Sequence, residues 1–282
     1  MKINIAKSSG FCFGVRRAIE ISLKAAKKIN ANVYVLGDIV HNNFVVNELN
    51  MAGVKRFSKI YSAKNKNSYL IISAHGAGKK IFSRAINRGY KIIDATCPRV
   101  KDIYKIGRRL ERKNKIIIIG DKGHSEVKGI AGQLKNRALI IEEPGVLPNN
   151  LAKIKKAVVI TQSTQSLDNI NAIMGKLVKI IPDIKLYDTT CRITRVKQEE
   201  IRTLPKNNDA VLIVGSKSSA NTKRLYLISK AINKNTYWIE TAQNLNLDCF
   251  NNVKSIAIMA GASTPDKIVK EIVSVLEKYS RE

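Results

Sequence analysis

The stretch KIIIIGDKGHSE, residues 115–126, shows the arrangement that decides the fold. Four consecutive isoleucines form an apolar run of strand length, and the glycine and polar residues directly after them are typical of a turn. A continuous apolar run without alternation is typical of a strand that is covered on both faces, as strands of parallel sheets are. The run AVLIVG, residues 210–215, has the same form. The sequence therefore predicts parallel sheets whose strands end in polar or glycine-rich turns.

Similar short runs recur along the chain and alternate with longer amphipathic segments, in which residues such as Val15, Ile19 and Ile29 share one helical face. The predicted strands are Val33–Leu36, Tyr69–Ser73, Lys91–Asp94, Lys115–Gly120, Ala138–Ile141, Ala157–Thr161, Ile184–Asp188, Ala210–Val214, Thr236–Glu240 and Ser255–Met259. This alternation predicts an α/β protein with mainly parallel sheets and helices on both faces, and so many strands favour more than one α/β unit.

Length and composition exclude several classes of protein. The chain has 282 residues, of which 44% are hydrophobic and 26% are charged, as in ordinary globular proteins. No apolar run approaches the roughly 20 residues of a membrane-spanning helix. The first residues, MKINIAKSSG, lack the apolar region of a signal peptide. We therefore expect a cytoplasmic protein with no membrane association.

The charge is strongly positive, because 50 Lys and Arg residues outnumber 22 Asp and Glu residues, which gives +28. One interpretation is attraction to an anion, such as nucleic acid, a phosphorylated substrate or an acidic protein. The other is compositional, since the basic residues are spread over every segment. Specific nucleic-acid binding is not favoured, because aromatic residues make up only 6% of the chain and no basic stripe stands out.

Three of the four cysteines, Cys12, Cys97 and Cys191, each directly precede a predicted helix, and no CxxC pair occurs. A helix N-terminus favours the thiolate, and disulfides are not expected in a reducing compartment. The three lie 85 and 94 residues apart, which suggests three similar units that each supply one thiol. Zinc, an iron–sulfur cluster and simple burial remain alternatives, although zinc usually draws on CxxC pairs. For Cys249 we expect simple burial.

All three histidines also lie just after predicted strands, where parallel sheets bind ligands. With short polar side chains and glycine turns nearby they indicate a phosphate or diphosphate pocket, although each polar residue alone also fits a turn. Glu126, two residues after a histidine, is a candidate proton donor or else a solvated loop carboxylate. The residues of this predicted pocket are His41, His75, His124, Thr164, Ser219, Asn221 and Ser263.

Eight segments together resemble one known family. They are SGFCFGVRRA (9–18), GDIVHN (37–42), AHG (74–76), DATCP (94–98), HSEV (124–127), DTTC (188–191), GSK (215–217) and AGAS (260–263). In this order they resemble the IspH (LytB) family of 4-hydroxy-3-methylbut-2-enyl diphosphate reductases, and the resemblance covers essentially the whole chain. The first and fourth segments are the most specific, whereas the His-Gly and Gly-Ser turns alone are not.

The resemblance implies three similar α/β units arranged with pseudo-threefold symmetry around a central cluster. We place them at residues 13–97, 98–191 and 192–282, with residues 1–12 packing on the third. It also implies one [4Fe–4S] cluster, held by Cys12, Cys97 and Cys191, whose fourth iron is open for substrate. The implied reaction belongs to the non-mevalonate (MEP/DOXP) isoprenoid pathway. It removes the allylic hydroxyl of the substrate with two electrons and two protons, which gives isopentenyl diphosphate and dimethylallyl diphosphate.

Carried over by position, Glu126 donates the proton, Thr164 belongs to the hydrogen-bond relay, and His124 lies between relay and diphosphate. The implied substrate-binding residues are His41, His75, His124, Thr164, Ser219, Ala220, Asn221 and Ser263, with Ala220 acting through its backbone N–H. The basic composition makes an acidic electron donor of the ferredoxin or flavodoxin type the expected protein partner.

The sequence departs from the family pattern at a few positions. Ser125 stands where proline is usual, Ala220 where serine is usual, and Ile193 and Lys197 where alanine and arginine are usual. We expect these changes to weaken the grip on substrate rather than abolish activity. Two other functions stay open from the residues alone, a zinc hydrolase that uses the histidines with Glu126, and a nucleic-acid-binding protein.

Overall fold

A computed structural model describes residues 1–61, 63 and 67–280, so residues 281–282 of the third predicted unit lie outside the described part. The strands are β1 (Lys2–Ile5), β2 (Val33–Leu36), β3 (Val54–Phe57), β4 (Tyr69–Ile72), β5 (Lys91–Asp94), β6 (Lys115–Ile119), β7 (Leu139–Ile141), β8 (Lys156–Thr161), β9 (Asp183–Tyr187), β10 (Ala210–Val214), β11 (Thr236–Ile239) and β12 (Ser255–Ala260). The α-helices are α1 (Phe13–Lys28), α2 (Asn43–Met51), α3 (Lys79–Asn87), α4 (Pro98–Leu110), α5 (Ser125–Gln133), α6 (Leu167–Leu177), α7 (Arg192–Thr203), α8 (Ala220–Ile232) and α9 (Asp266–Tyr279).

The strands form three four-stranded sheets in which every described pair of neighbours is parallel. The sheet orders are β3-β2-β4-β5, β7-β6-β8-β9 and β11-β10-β12-β1. The three orders follow one pattern, and in the last sheet the N-terminal strand β1 takes the place of a fourth consecutive strand. The predicted α/β fold with parallel sheets and three similar units is confirmed.

The sheet that contains β6 shows why continuous apolar strands form here. Ile116 and Ile118 point to one face, where they pack with residues of α4 and α5. Ile117 and Ile119 point to the other face and pack with α6. Full burial of each such side chain contributes roughly 1.5–3 kcal/mol. Both faces are therefore covered by helices, and the polar loops are left at the ends of the strands.

Two strands, β1 and β3, were not among the predicted ones. The expectation that predicted strands are covered on both faces is wrong for β9, where Leu186 and Tyr187 are each 38% exposed. The physical reason is that β9 is the edge strand of its sheet. Several strand ends differ from the prediction by one residue, as at β4, which ends at Ile72.

Clustering of contacts divides the chain into two compact units. Unit 1 comprises Met1–Arg16, His41–Val45 and Arg192–Glu282, and unit 2 comprises Arg17–Val40 and Val46–Cys191. Unit 1 holds the sheet with β1, and unit 2 holds the other two sheets. The boundaries at residues 13, 98 and 192 stay a prediction. Among the described residues, no helix combines the length and apolar character that crossing a membrane requires.

Candidate active site

In unit 2, Cys97 lies at the N-terminus of α4, directly after β5. It occupies the N-cap position, and Pro98 begins the helix. Its backbone N–H donates to the carbonyl of Ala74 at 3.0 Å. The guanidinium of Arg17 donates to the carbonyls of Ala95 at 3.5 Å and Thr96 at 3.3 Å. The half-buried thiol is thus held in a fixed loop at a helix N-terminus, where the dipole favours an anionic sulfur.

Glu126, in the first turn of α5, is only 2% exposed. Its carboxylate accepts hydrogen bonds from the backbone N–H of Ser163 at 2.6 Å and from the Ser163 hydroxyl at 2.8 Å. The backbone N–H of Glu126 donates to Nδ1 of His124 at 3.1 Å, so His124 caps the helix. With Nδ1 accepting, the proton of neutral His124 resides on Nε2, which can donate to a ligand.

His75 lies beside His124, with the rings perpendicular and their centroids 5.4 Å apart. The Tyr104 hydroxyl donates to the His75 carbonyl at 3.3 Å. Burial first, and then the negative charge of Glu126, raise the pKa of Tyr104, so this phenol stays protonated. The turn after β4 requires glycine at position 76, where φ is +74° and a Cβ would lie 2.0 Å from the Tyr104 hydroxyl. Tyr104 therefore fixes the backbone that presents His75.

Cys191 follows β9, directly before α7, and its backbone N–H donates to the Ser163 carbonyl at 2.9 Å. Ser163 therefore contacts both Cys191 and Glu126. The neighbouring Thr164 hydroxyl accepts from the side-chain amide of Gln162 at 3.0 Å. In this way the loop after β8, which carries Thr164, is bonded to the backbone of Cys191 and to the carboxylate of Glu126 within unit 2.

In unit 1, Cys12 precedes α1 and its backbone N–H donates to the Ala262 carbonyl at 3.1 Å. The Ser9 hydroxyl accepts from the N–H of Ala260 at 2.8 Å. Gly10 adopts φ of +85°, and a Cβ there would lie 2.4 Å from a carboxylate oxygen of Asp266. These contacts explain the glycine at position 10, because a side chain there would collide with Asp266, the first residue of α9.

The N-terminus of α8 in unit 1 collects buried polar groups. The Ser219 hydroxyl caps the helix and accepts from the N–H of Thr222 at 3.3 Å. Within the described residues, neither the side-chain nitrogen of Asn221 nor the hydroxyl of Thr222 has a hydrogen-bond partner, although both are buried. Ala220 is the first helical residue. Since unpaired buried polar groups are costly, this helix start is suited to an anionic ligand.

His41 and Ser263 also meet in unit 1, where the Ser263 hydroxyl donates to the His41 carbonyl at 3.1 Å. The next residue, Asn42, accepts with its side chain from the N–H groups of Phe44 at 3.0 Å and Val45 at 3.3 Å. These bonds fix the beginning of α2 and hold the backbone of His41 against the loop after β12.

The predicted residues therefore divide between the two units. Unit 2 carries Cys97, Cys191, Glu126, Thr164, His75 and His124, and unit 1 carries Cys12, His41, Ser219, Ala220, Asn221 and Ser263. Cys249 is half-buried against the core of unit 1, and no described cysteine is in a disulfide. Sequence reasoning did not select Ser163, Tyr104 or Thr222. Ser163 follows a strand, Thr222 lies near a helix start and Tyr104 lies on the buried face of α4, and many other residues share such positions.

The fold and the site together define the class of protein. It is a parallel α/β protein in which thiols, histidines and a buried carboxylate lie just after the ends of strands. The chain belongs to the family described as LytB protein, whose family model matches residues 3–277. Named 4-hydroxy-3-methylbut-2-enyl diphosphate reductases from Aquifex aeolicus and Clostridium perfringens (strain 13) are 35% and 36% identical to it. These alignments cover 98% and 97% of this chain and 96% and 98% of the relatives.

Two solved structures are similar over nearly the whole chain. One is (E)-4-hydroxy-3-methyl-but-2-enyl diphosphate reductase, described as the terminal enzyme of the non-mevalonate pathway. It is 35% identical with a TM-score of 0.72, over 99% of this chain and 100% of the other. The second is the E-1-hydroxy-2-methyl-but-2-enyl-4-diphosphate reductase from Plasmodium falciparum, 30% identical with a TM-score of 0.90, over 98% of this chain and 87% of the other.

Proposed function

We propose that this protein is a 4-hydroxy-3-methylbut-2-enyl diphosphate reductase of the non-mevalonate isoprenoid pathway. The observation that carries the proposal is the 35% identity to a named reductase over 98% of the chain, with every thiol, histidine and carboxylate of the resemblance present. The substrate loses its allylic hydroxyl as water. Two electrons and two protons enter, which gives isopentenyl diphosphate or dimethylallyl diphosphate.

Cys12, Cys97 and Cys191 would hold a [4Fe–4S] cluster. The donor set fits, because all three sulfurs are partly exposed thiols at helix N-termini, and thiolates are the ligands that such clusters take. Three protein ligands leave one iron without a protein thiolate. When bound, the cluster supplies electrons one at a time together with a Lewis-acidic iron.

The diphosphate would be bound by hydrogen-bond donors that the family resemblance assigns to it. Two features at the start of α8 support this role: the buried side-chain nitrogen of Asn221, which has no hydrogen-bond partner in the described part of the chain, and the hydroxyl cap of Ser219. Buried phosphate charge requires many hydrogen-bond donors. The proposed set is His41, His75, His124, Thr164, Ser219, Ala220, Asn221 and Ser263.

Glu126 would donate the proton that turns the departing hydroxyl into water. Its burial and its two bonds from Ser163 support this role, because they hold the carboxyl group in a single orientation. Thr164, on the same loop as Ser163, would form a hydrogen bond with the substrate hydroxyl and so belong to the relay. His124 caps the helix that carries Glu126 and would donate from Nε2 to the diphosphate.

The electron donor would be an acidic protein of the ferredoxin or flavodoxin type, since the net charge of +28 favours association with an anionic surface. Such association should slow as ionic strength rises. A cytoplasmic location is part of the proposal, because thiols that bind a cluster need a reducing compartment.

Strictly anaerobic purification tests the proposal directly. We expect brown protein with close to four irons and four sulfides per chain, and with reductase activity on 4-hydroxy-3-methylbut-2-enyl diphosphate when a reduced donor is supplied. A colourless protein that contains zinc would favour a hydrolase instead. Heparin binding that disappears at modest salt would mark the positive charge as unrelated to nucleic acid.

A further inference from the structure

Lys197, on α7, is the largest side chain among the fully buried ones and is only 1% exposed. Its ammonium group donates to three backbone carbonyls, those of Ser8, of Gly10 at 3.2 Å and of Ala260 at 3.1 Å. An ammonium has three N–H donors, so its hydrogen-bonding capacity is used completely. Burying a cation is costly. A lysine on the exposed face of α7 would favour the helix equally well without this cost.

Two of the three carbonyls belong to the segment that presents Cys12. Ser8 and Gly10 lie four and two residues before that thiol, and the third carbonyl is that of Ala260, whose N–H donates to the Ser9 hydroxyl. Glu200, one turn further along α7, accepts from the N–H groups of Lys7 at 2.6 Å and Ser8 at 2.9 Å. One face of α7 therefore binds both backbone N–H groups and backbone carbonyls of residues 7–10.

Arg17 has the corresponding relationship to Cys97. It donates to the carbonyls of Ala95 and Thr96, the two residues directly before that thiol. Arg17 lies five residues after Cys12, and Lys197 lies six residues after Cys191. In both cases a cation in the early turns of a helix that follows one thiol binds the loop that carries a different thiol.

We propose that Lys197 and Arg17 are positioning residues for the cluster ligands Cys12 and Cys97. Each binds carbonyls of a ligand loop and so brings a positive charge to the loop that carries a sulfur, which becomes anionic on binding iron. This inference rests on the proposed cluster. It goes beyond the reaction, because neither cation needs to touch substrate.

The charge of Lys197 supports the same role. Burial lowers its pKa to about 8, whereas the negative charges of Cys12, Glu200 and Asp266 act to raise it. The ammonium form therefore predominates at pH 7, and it is this cation that binds the carbonyls of Ser8, Gly10 and Ala260. A cation at such a position stabilises the reduced, more negative cluster relative to the oxidised one.

The test uses the anaerobically purified full-length protein and the variants Lys197→Met and Lys197→Arg. Methionine keeps the apolar stem without the cation, and arginine restores a charged donor. We expect Lys197→Met to release iron to a chelator about 10–100-fold faster, as loss of groups that orient metal ligands generally does. The cluster midpoint potential should shift to a more negative value. Lys197→Arg should restore both properties in large part.

Hydrogen exchange supplies a readout that is independent of activity. In Lys197→Met the amides of residues 8–12 should exchange at least about fivefold faster, since their loop loses two bonds and the neighbouring Ala260 loses a third, while the β6 sheet stays unchanged. Lys206→Met, an exposed lysine shortly after α7, is the control and should behave as wild type. Unchanged iron release, potential and exchange in Lys197→Met would overturn the inference.

A second pair keeps the inference testable if Lys197→Met does not fold. Arg17→Met should accelerate exchange at residues 95–97 and iron release, whereas Arg16→Met, at the neighbouring exposed position, should not. If the two arginine variants behave alike, the inference fails at Cys97. A wild-type protein without iron would contradict the proposed function itself, and exchange at residues 8–12 and 95–97 would still decide whether the cations hold these loops.

Discussion

Ser163 binds both oxygens of the Glu126 carboxylate, one through its backbone N–H at 2.6 Å and the other through its hydroxyl at 2.8 Å. Two donors from one residue fix the plane of the carboxyl group. A buried carboxylate that is oriented in this way is a structural requirement for a proton donor whose target is held in one place.

Glu126→Gln should therefore preserve the fold and stall turnover. Glutamine has the same shape but no acidic proton, and general acid catalysis typically contributes about 10²–10⁴-fold to rate. We expect normal iron content and substrate affinity with kcat reduced by about that factor. Steady-state kinetics with reduced donor is the measurement, and a wild-type kcat would exclude Glu126 as the proton donor.

Replacing cysteines one at a time should separate the proposed ligands from the filler. Serine at position 12, 97 or 191 should remove bound iron and activity, because a hydroxyl is a poor substitute for a thiolate. Cys249→Ser is the matched control, since Cys249 packs against the core of unit 1. The measurement is the iron and sulfide content of each purified variant. Loss of iron in Cys249→Ser would contradict the assignment of Cys12, Cys97 and Cys191 as the only cysteine ligands.

Gly132→Ala should destabilise the protein. Gly132 lies in α5, and a Cβ there would lie 2.8 Å from the Cα of Gly78, just before α3, so the two backbones would have to separate. Overpacking of this kind typically costs about 1–3 kcal/mol. Because α5 begins with Glu126 in its first turn, kcat should fall as well.

The control for that substitution is Gly175→Ala in α6. There an added Cβ meets nothing within 4 Å, and alanine is favoured over glycine in helices by about 0.8–1.0 kcal/mol. Urea denaturation should show Gly175→Ala at least as stable as wild type. Equal effects of the two substitutions would argue against the close approach of α3 and α5.

The bonds to Glu200 predict an acid-dependent loss of stability. Burial raises the pKa of Glu200, but the hydrogen bonds from Ser8 and Lys7 outweigh burial, so the pKa lies below its usual 4.5. A carboxylate whose pKa is lower in the folded state stabilises the fold above the unfolded pKa. That contribution disappears as pH falls through the folded pKa.

Glu200→Gln should therefore be less stable than wild type at neutral pH, and the difference in unfolding free energy should shrink as pH falls below about 4.5. Denaturant unfolding over this range measures the difference. Glu199→Gln, at the neighbouring exposed position, should change stability by no more than about 0.5 kcal/mol at any pH. A constant difference between wild type and Glu200→Gln would show that the bonds to Ser8 and Lys7 do not depend on the carboxylate charge.

Much of the fold could be predicted because its strands are unbroken β-branched runs that end in glycine or polar residues. The same feature located the thiols and histidines at strand ends. β3 was missed because its four residues, VKRF, include two charged ones, and β1 because KINI alternates as a half-exposed edge strand does.

The contacts within the site depend on pairing between distant strands, which no local pattern reveals. Ser163 reaches Glu126 because β6 and β8 are neighbours, with Ile119 opposite Thr161. The burial of Lys197 could not be predicted either, since α7 is rich in charged residues. The sequence does not distinguish a lysine that binds carbonyls from a lysine that is exposed to solvent. Burial of polar residues is decided by tertiary packing rather than by residue type.

The hydrogen bonds of Ser163 also limit which amino acids can replace it as the sequence evolves. Two of its three bonds, the N–H to Glu126 and the carbonyl to Cys191, use main-chain atoms that every amino acid except proline provides in full. Only the third bond, which the hydroxyl donates to Glu126, depends on the side chain at this position. Substitutions at this position should therefore favour small side chains and exclude proline, so that the connection between Cys191 and Glu126 is largely independent of the residue that forms it.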